Sequence, residues 1–160
     1  MNKNKLVTIV DYKCGNLFSL VKILEQLNHR ILITDKYNEI INAEKLILPG
    51  VGSFEVGYKN LKEKNLDEAI FNFVKKGNYL LGICLGMQLL LDESSEFGIH
   101  KGLSLISGKV EKLIKSKEIK IPHVGWNSIN INKKIKTNIL SEIKNFSFFL
   151  FYSFFCHYEL

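Results

Sequence analysis

Short apolar runs in this chain alternate with segments in which apolar residues recur every three or four positions. The runs Leu6–Val10, Arg30–Thr34 and Lys45–Leu48 predict three β-strands. After the first run, Asn16 is a predicted helix N-cap. Apolar residues then follow at helical spacing: Leu17, Leu20, Val21, Leu24 and Leu27. Strands that alternate with helices predict an α/β fold, a mostly parallel sheet with helices on both faces.

The second half of the chain continues this pattern less regularly. Leu66 to Val74 predicts a helix that stops at Gly77. Ser94 to Gly108 is expected to be rich in loops, and His123 is placed in a loop. Further strands are predicted at Val110–Ile114 and Phe148–Tyr152.

The stretch Gly82-Ile83-Cys84-Leu85-Gly86-Met87-Gln88 stands out from this pattern. The apolar run Tyr79–Ile83 predicts a buried strand, and a helical segment is predicted from Met87 to Leu91. A thiol between two glycines, on a turn from strand to helix, is the layout of a nucleophile elbow. Cys84 is therefore the predicted nucleophile. The N–H of Leu85 is placed to stabilise an oxyanion, and the following helix would favour the thiolate.

A second glycine-containing loop, Pro49-Gly50-Val51-Gly52, follows the third predicted strand. On spacing alone it is an ordinary turn. Ligands of open α/β sheets bind beyond the carboxyl ends of the strands, where this loop and the elbow are both expected.

Composition narrows the class of protein. At 160 residues, with 46% apolar and 24% charged residues, the chain is predicted to be one globular domain. It shows no apolar run of membrane-spanning length and no signal segment, so we expect a cytoplasmic protein without membrane contact. Its three cysteines are too scattered for a disulfide framework or a metal site. The net charge of +6 is spread along the chain, and nucleic acid is not an expected partner.

Four sequence blocks together resemble a known family. They are Asp11-Tyr12 with Gly15-Asn16-Leu17, then Leu48 to Phe54, the elbow, and Pro122 to Asn127. The chain resembles the class I (triad) glutamine amidotransferases and, among them, the glutaminase subunits of imidazole glycerol phosphate synthase. The resemblance implies their flavodoxin-like sheet, with the last strands missing here.

The resemblance also implies roles for individual residues. Cys84 would attack the carboxamide of glutamine, and ammonia would pass to a (β/α)₈-barrel cyclase subunit for histidine synthesis, with no cofactor and no metal. Oxyanion or substrate contacts would come from Gly50, Val51, Gly52, Leu85, Gln88 and Ser153. The face toward the cyclase subunit would include Pro122, His123, Trp126 and Asn127.

One part of the family pattern is not matched. In the triad enzymes a histidine, followed two residues later by a glutamate in a His-Pro-Glu element, exchanges protons with the nucleophile and the leaving group. His157 and Glu159 have this spacing, but the proline is absent and the pair follows Trp126 too soon. We therefore expect residues 1–160 to be a single domain incomplete at its C-terminus, with little or no turnover by itself.

Two alternatives stay open from the sequence. The ammonia could instead serve the synthesis of amidino sugars for surface polysaccharides, which the neighbouring genes or a co-purifying synthase would reveal. The chain could also be a truncated, inactive protein that only binds the partner subunit. Absence of glutaminase activity after the synthase subunit is added would support that last alternative.

Overall fold

The computed structural model of the protein describes residues 5–113, 121–129, 131, 143–144, 146–153 and 155–158. The chain divides into two compact units. The first comprises Met1–Glu111 with His157–Leu160, and the second comprises Lys112–Cys156. The prediction that residues 1–160 form a single domain stays a prediction.

A four-stranded parallel sheet forms the centre of the first unit. Its strands are β1 (Leu6–Val10), β2 (Arg30–Thr34), β3 (Lys45–Leu48) and β4 (Tyr79–Gly82). Their order is β2-β1-β3-β4, so β4 lies at one edge. The register pairs Thr8 with Leu32 and Leu46, and Leu48 with Gly82. This alignment brings the carboxyl ends of β3 and β4 together.

Five helices connect these strands or follow them. They are α1 (Leu17–Gln26), α2 (Tyr37–Ile41), α3 (Phe54–Glu63), α4 (Leu66–Lys75) and α5 (Leu85–Gln88). The side chain of Asn16 caps α1 as predicted, accepting from the Ser19 N–H. In the part of the chain that the structure describes, no helix is both long enough and apolar enough to cross a membrane.

Both faces of the parallel sheet are buried along its central strands, β1 and β3. On one face Val7, Ile9 and Ile47 pack with Leu24 of α1. Adjacent residues of a strand point to opposite faces. The alternate residues Thr8 and Leu46, each 1% exposed, therefore show that the second face is covered as well. The predicted α/β architecture is confirmed. The prediction of a buried strand at Tyr79–Ile83 is wrong, because β4 lies at the sheet edge with Tyr79 78% and Leu81 40% exposed.

A second sheet has the order β10-β7-β5-β6. Its strands are β5 (Glu93–Ser94), β6 (His100–Lys101), β7 (Lys109–Lys112) and β10 (Phe155–Tyr158). β5 pairs antiparallel with β6 and parallel with β7. The segment Ser94–Gly108, expected to be rich in loops, thus also contributes two short strands. They are only two residues long, too short for a period-2 pattern to show.

The second unit contains an antiparallel pair of strands. β8 (His123–Ser128) pairs with β9 (Phe148–Ser153), with Trp126 opposite Leu150. The prediction that His123 lies in a loop is wrong, because it begins β8. The preceding Pro122 and the glycine at position 125 obscure the strand pattern in the sequence.

The first three strands have the predicted bounds, whereas the elbow helix does not. α5 begins at Leu85 rather than Met87 and ends at Gln88. The Gly86 N–H donates to the Ile83 carbonyl oxygen at 3.0 Å and the Gln88 N–H to that of Cys84 at 3.1 Å. The chain therefore turns into helix immediately after Cys84. Helices α2 and α3 were not predicted.

Candidate active site

Cys84 lies at the turn between β4 and α5, where its side chain is exposed. Its backbone angles are φ 53° and ψ −118°. This is the mirror image of the ordinary β region, which residues with a Cβ rarely enter. Such a strained, exposed residue between a strand and a helix is the geometry expected of a nucleophile elbow.

The two glycines that flank Cys84 are required by close packing. A Cβ at Gly86 would overlap the carbonyl oxygen of Leu48, and one at Gly82 would lie 2.6 Å from the Met87 Cα. The Ile83 N–H also donates to the Leu48 carbonyl oxygen at 3.0 Å. The elbow is thus held directly against the end of β3 by backbone contacts.

The Pro49–Gly52 loop follows β3 and lies against the elbow. A Cβ built on Gly50 would lie 2.8 Å from the Gly86 nitrogen and 2.8 Å from the Leu85 Cβ. Gly50 is buried, whereas Val51 and Gly52 are exposed, and Gly52 has φ 114°. The structure therefore brings together the two glycine-containing segments singled out in the sequence.

The amide of Val51, a residue expected to contact the oxyanion or the substrate, is hydrogen-bonded within the protein. Its N–H donates to the carbonyl oxygen of Cys14 at 3.3 Å. This amide is already paired and is not available to a reacting oxygen in this arrangement. By contrast, within residues 5–113 no acceptor is found for the N–H groups of Gly50, Gly52 and Leu85. Of these, the Leu85 N–H directly follows Cys84 at the start of α5.

Hydrogen bonds from the turn after β1 hold the Pro49–Gly52 loop in place. The residues of this turn were not predicted to belong to the site. The Tyr12 hydroxyl donates to the Pro49 carbonyl oxygen at 2.6 Å. The Asn60 side-chain amide donates to the Tyr12 carbonyl oxygen at 3.0 Å and to the Cys14 sulfur at 3.3 Å. Tyr12 was recognised only as part of a matching block, because its side-chain bond spans 37 positions that no local pattern connects.

Burial affects the ionisation of both residues in this turn. It raises the pKa of the Tyr12 phenol well above its usual range, and negative charge on Cys14 or Cys84 raises it further. Burial likewise raises the pKa of the Cys14 thiol, although the bond from Asn60 opposes this. Both groups therefore stay protonated near neutral pH, and Tyr12 remains a hydrogen-bond donor.

Helix α3 begins shortly after the Pro49–Gly52 loop, and an acidic side chain caps its N-terminal end. The carboxylate of Glu96 accepts from the Phe54 N–H at 2.7 Å. Negative charge is favourable at the start of a helix. Glu96 therefore links the β5–β6 segment to the start of α3, and its position was not predicted either.

The histidines with described side chains make no hydrogen bond to Cys84 among the described residues. His29 bonds to the Lys5 carbonyl oxygen and His123 contacts Asn127 at 2.8 Å. His100 Nε2 lies 3.9 Å from Glu55 and has no hydrogen-bond partner in the described part of the chain. The side chain of His157 and all of Glu159 lie outside the described residues, as does the side chain of Ser153.

The remaining predicted site residues occupy distinct places. Gln88 is the last residue of α5, one helical turn beyond Cys84. Pro122 precedes β8, and His123, Trp126 and Asn127 lie on β8 in the second unit. No cluster of three His, Cys, Asp or Glu side chains suited to a metal occurs among the described residues. A surface cavity of about 310 Å³ includes Tyr58, Lys62 and Phe71 in its lining but none of the predicted site residues.

Comparison with known proteins agrees with this geometry. The family described as glutamine amidotransferase class-I matches residues 8–148. The chain belongs to the class I glutamine amidotransferase family. The fold class and the resemblance predicted from the sequence are thereby confirmed.

Its relatives include imidazole glycerol phosphate synthase subunits named HisH. The HisH of Chlorobium chlorochromatii is 40% identical over 155 residues, covering 96% of this chain and 76% of the relative. That of a Geobacillus species is 45% identical over 128 residues, covering 78% and 61%. The chain thus spans between three fifths and three quarters of the length of these relatives.

A solved structure supports the fold independently. The crystal structure of a glutamine amidotransferase matches with a TM-score of 0.62 at 19% identity, covering 76% of this chain and 62% of the other. At that identity the match concerns the fold alone.

Proposed function

We propose that the chain is the cytoplasmic glutaminase subunit of an imidazole glycerol phosphate synthase. It would release ammonia from glutamine for a cyclase subunit in histidine synthesis. The observation that carries this proposal is the exposed Cys84 on its strained elbow, followed by the Leu85 N–H, for which residues 5–113 offer no acceptor. The relatives named as HisH subunits support the choice of this reaction over amidino-sugar synthesis.

The proposed chemistry begins at the sulfur of Cys84. The thiolate attacks the side-chain carbonyl carbon of glutamine, a C–S bond forms, and the carbonyl electron pair moves to the oxygen. The N–H of Leu85 donates to that oxygen. The C–N bond then breaks, and nitrogen leaves as ammonia after it takes a proton. Water hydrolyses the resulting thioester to glutamate and regenerates the thiol.

Proton transfer is the step that the described side chains do not supply. Among the described residues no hydrogen bond joins His29, His100 or His123 to Cys84, so none is assigned as the base. The described residues thus support attack by Cys84 and stabilisation of the resulting oxyanion, which precede proton transfer. We propose Gln88 and Ser153 as the residues that hold the substrate. Glutamine turnover additionally requires a proton carrier.

The partner face is proposed on the second unit. On β8 the side chains of Val124 and Trp126 are 55% and 68% exposed. Phe148 of β9, opposite Ser128, shares their face and is 68% exposed. Exposed aromatic residues are typical anchors of protein interfaces. We assign this face to contact with a (β/α)₈-barrel cyclase subunit in a heterodimer. Pro122 precedes the strand, and His123 and Asn127, also proposed for the partner contact, alternate onto the opposite face of β8.

The test combines the chain with the cyclase subunit from a HisH-containing synthase. Glutamate release is measured with glutamine for wild type, for Cys84→Ser and for the control Cys14→Ser. We expect wild type and Cys14→Ser to release glutamate at the low rate of a chain with no assigned base, and Cys84→Ser to release none above the uncatalysed background. Equal rates in Cys84→Ser and wild type would overturn the proposal. Partner binding without any glutamate release would indicate the binding-only alternative.

A further inference from the structure

The surface cavity of about 310 Å³ in the first unit is lined by parts of two helices and by the chain after β6. Helix α3 contributes Tyr58 and Lys62, which are four residues apart and therefore share one face of the helix. The start of α4 contributes Asp67, Glu68 and Phe71. The volume lies at the lower end of the range of small-molecule pockets in proteins.

The charges in this lining do not balance. The Lys62 Nζ is paired with the Asp67 carboxylate at 2.8 Å. This bond raises the pKa of the Lys62 amine, and the charges of Tyr58 and Glu68 raise it further, which places the three groups close to Lys62. The Glu68 carboxylate itself makes no hydrogen bond or ion pair with any residue that the structure describes. Because Lys62 and Asp67 neutralise each other, Glu68 leaves the cavity with a net negative charge.

Apolar surface lines the same cavity. Phe71 follows Glu68 by three residues on α4, so the two side chains share a face of that helix, and Phe71 is 50% exposed. Leu103 is fixed in place, since its N–H donates to the Leu89 carbonyl oxygen at 2.8 Å. The faces of aromatic rings attract cations. An unpaired carboxylate beside aromatic and aliphatic side chains therefore favours a cation that has an apolar body, and it disfavours an anion.

We propose that this cavity is a binding site for a small organic cation, one whose apolar body carries an amine, amidine or guanidine group. The cationic group pairs with the Glu68 carboxylate, and the apolar body packs against Phe71 and Leu103. The Lys62–Asp67 pair stays intact. The inference goes beyond the proposed function and does not depend on it, because Cys84 and the other predicted site residues are not in the lining of the cavity.

The test is a titration of the full chain with benzamidine, a planar aromatic ring with an amidinium group, followed by two-dimensional NMR of the backbone amides. Benzamide is the neutral control of nearly the same shape, and benzoate is the anionic control. We expect saturable shifts with benzamidine, clustered at residues 58–71 and 102–103. Benzamide should bind about tenfold more weakly, since a charge-assisted hydrogen bond is lost, and benzoate should cause no saturable shift.

Variants test the assignment of the individual side chains. Glu68→Gln keeps the shape of the side chain and removes its charge, so it should weaken benzamidine binding by about tenfold and leave benzamide binding unchanged. Phe71→Ala should weaken the binding of both ligands by about fivefold. Glu63→Gln is the matched control, because it removes the same charge from α3 at a position outside the lining of the cavity. It should match wild type.

Three results would overturn the inference: shifts that do not saturate or that lie away from the cavity, equal affinity for benzamidine and benzamide, or equal affinity of Glu68→Gln and Glu63→Gln for benzamidine. The amide spectra also show whether each variant is folded. If Phe71→Ala does not fold, the two glutamine variants decide the outcome.

Discussion

The elbow and the Pro49–Gly52 loop face each other, but they are held in place by different forces. At the elbow, Gly82 and Gly86 lie against backbone atoms where a Cβ has no space. The loop is also closely packed at Gly50, but it is held in addition by hydrogen bonds from outside it, from the Tyr12 hydroxyl and to the Cys14 carbonyl. The elbow is fixed mainly by steric exclusion, whereas the exposed part of the loop, Val51 and Gly52, depends on polar bonds that could be exchanged.

This difference bears on how the site can change. Steric exclusion by backbone leaves the elbow a single arrangement, since the packed end of β3 cannot deform continuously. A hydrogen-bonded loop can trade one partner for another at a net cost of about 1 kcal/mol per bond. The nucleophile is therefore expected to be rigid, and the oxyanion donors of the loop are expected to be adjustable.

The largest predicted effect tests whether the lack of space for a Cβ fixes the elbow. Gly86→Ala places a methyl group onto the Leu48 carbonyl oxygen. We expect a loss of about 3 kcal/mol or more in the free energy of unfolding, because backbone cannot move aside. The control is Gly125→Ala, where no atom lies within 4 Å of the added methyl group. Urea denaturation measures both, and an equal, small loss in the two variants would contradict steric fixation of the elbow.

The next prediction tests whether hydrogen bonds hold the Pro49–Gly52 loop in place. Asn60→Ala removes the donor to the Tyr12 carbonyl oxygen and the Cys14 sulfur. We expect a loss of about 1–2 kcal/mol in stability, because a partly buried acceptor is left unpaired. Hydrogen exchange of the Val51 amide, which donates to Cys14, should also become faster. Asn72→Ala is the control, and it should leave exchange at Val51 unchanged. Unaltered exchange in Asn60→Ala would show that the turn does not hold the loop.

A smaller effect is expected at the nucleophile itself. Cys84 has φ 53° and ψ −118°, a region that glycine enters freely. Cys84→Gly should therefore be more stable than Cys84→Ala by about 1 kcal/mol, once the entropy of the unfolded glycine is included. Thermal or urea unfolding of the two variants measures this. A less stable glycine variant would mean that the elbow is not strained.

The smallest effect concerns the segment that follows the elbow. The Asp92 carboxylate accepts from the Gly108 N–H at 2.9 Å, and this bond, followed by one from Ser104, holds its pKa below the ordinary 3.8. A carboxyl whose pKa is lowered by folding stabilises the folded state above its unfolded pKa and loses that contribution as pH falls. Urea midpoints measured below about pH 4 should fall less steeply in Asp92→Asn than in wild type. Identical pH slopes would show that this bond does not help to hold the end of the elbow segment.

The sequence predicted those features that depend on local patterns. β1, β2 and β3 have their predicted bounds because each is a short apolar run bordered by polar or turn residues. Cys84 was found because two glycines and a change from strand to helix coincide at one thiol. Tyr12, Asn60 and Glu96 were missed as site residues, since their bonds span 37, 48 and 42 positions respectively. Long-range hydrogen bonds leave no periodic signal in the sequence.

The paired Val51 amide shows the limit of reasoning from resemblance. The family pattern places that loop at the oxyanion, but it does not specify which N–H is free. Only the bond to Cys14 distinguishes Val51 from Gly50. Likewise, His123 was misplaced because strand pairing with Ser153 is a non-local property.

The account depends most directly on Cys84 being the thiol that reacts with the carbonyl of glutamine. The decisive measurement is peptide mapping by mass spectrometry after brief treatment with 6-diazo-5-oxo-norleucine, a glutamine analogue whose diazo carbon, once protonated, alkylates a thiol sulfur with loss of N₂. We predict one label per chain, on the peptide that contains Cys84, with labelling slowed by added glutamine. Labelling of Cys14 instead, or labelling of Cys84 that glutamine does not slow, would contradict the account.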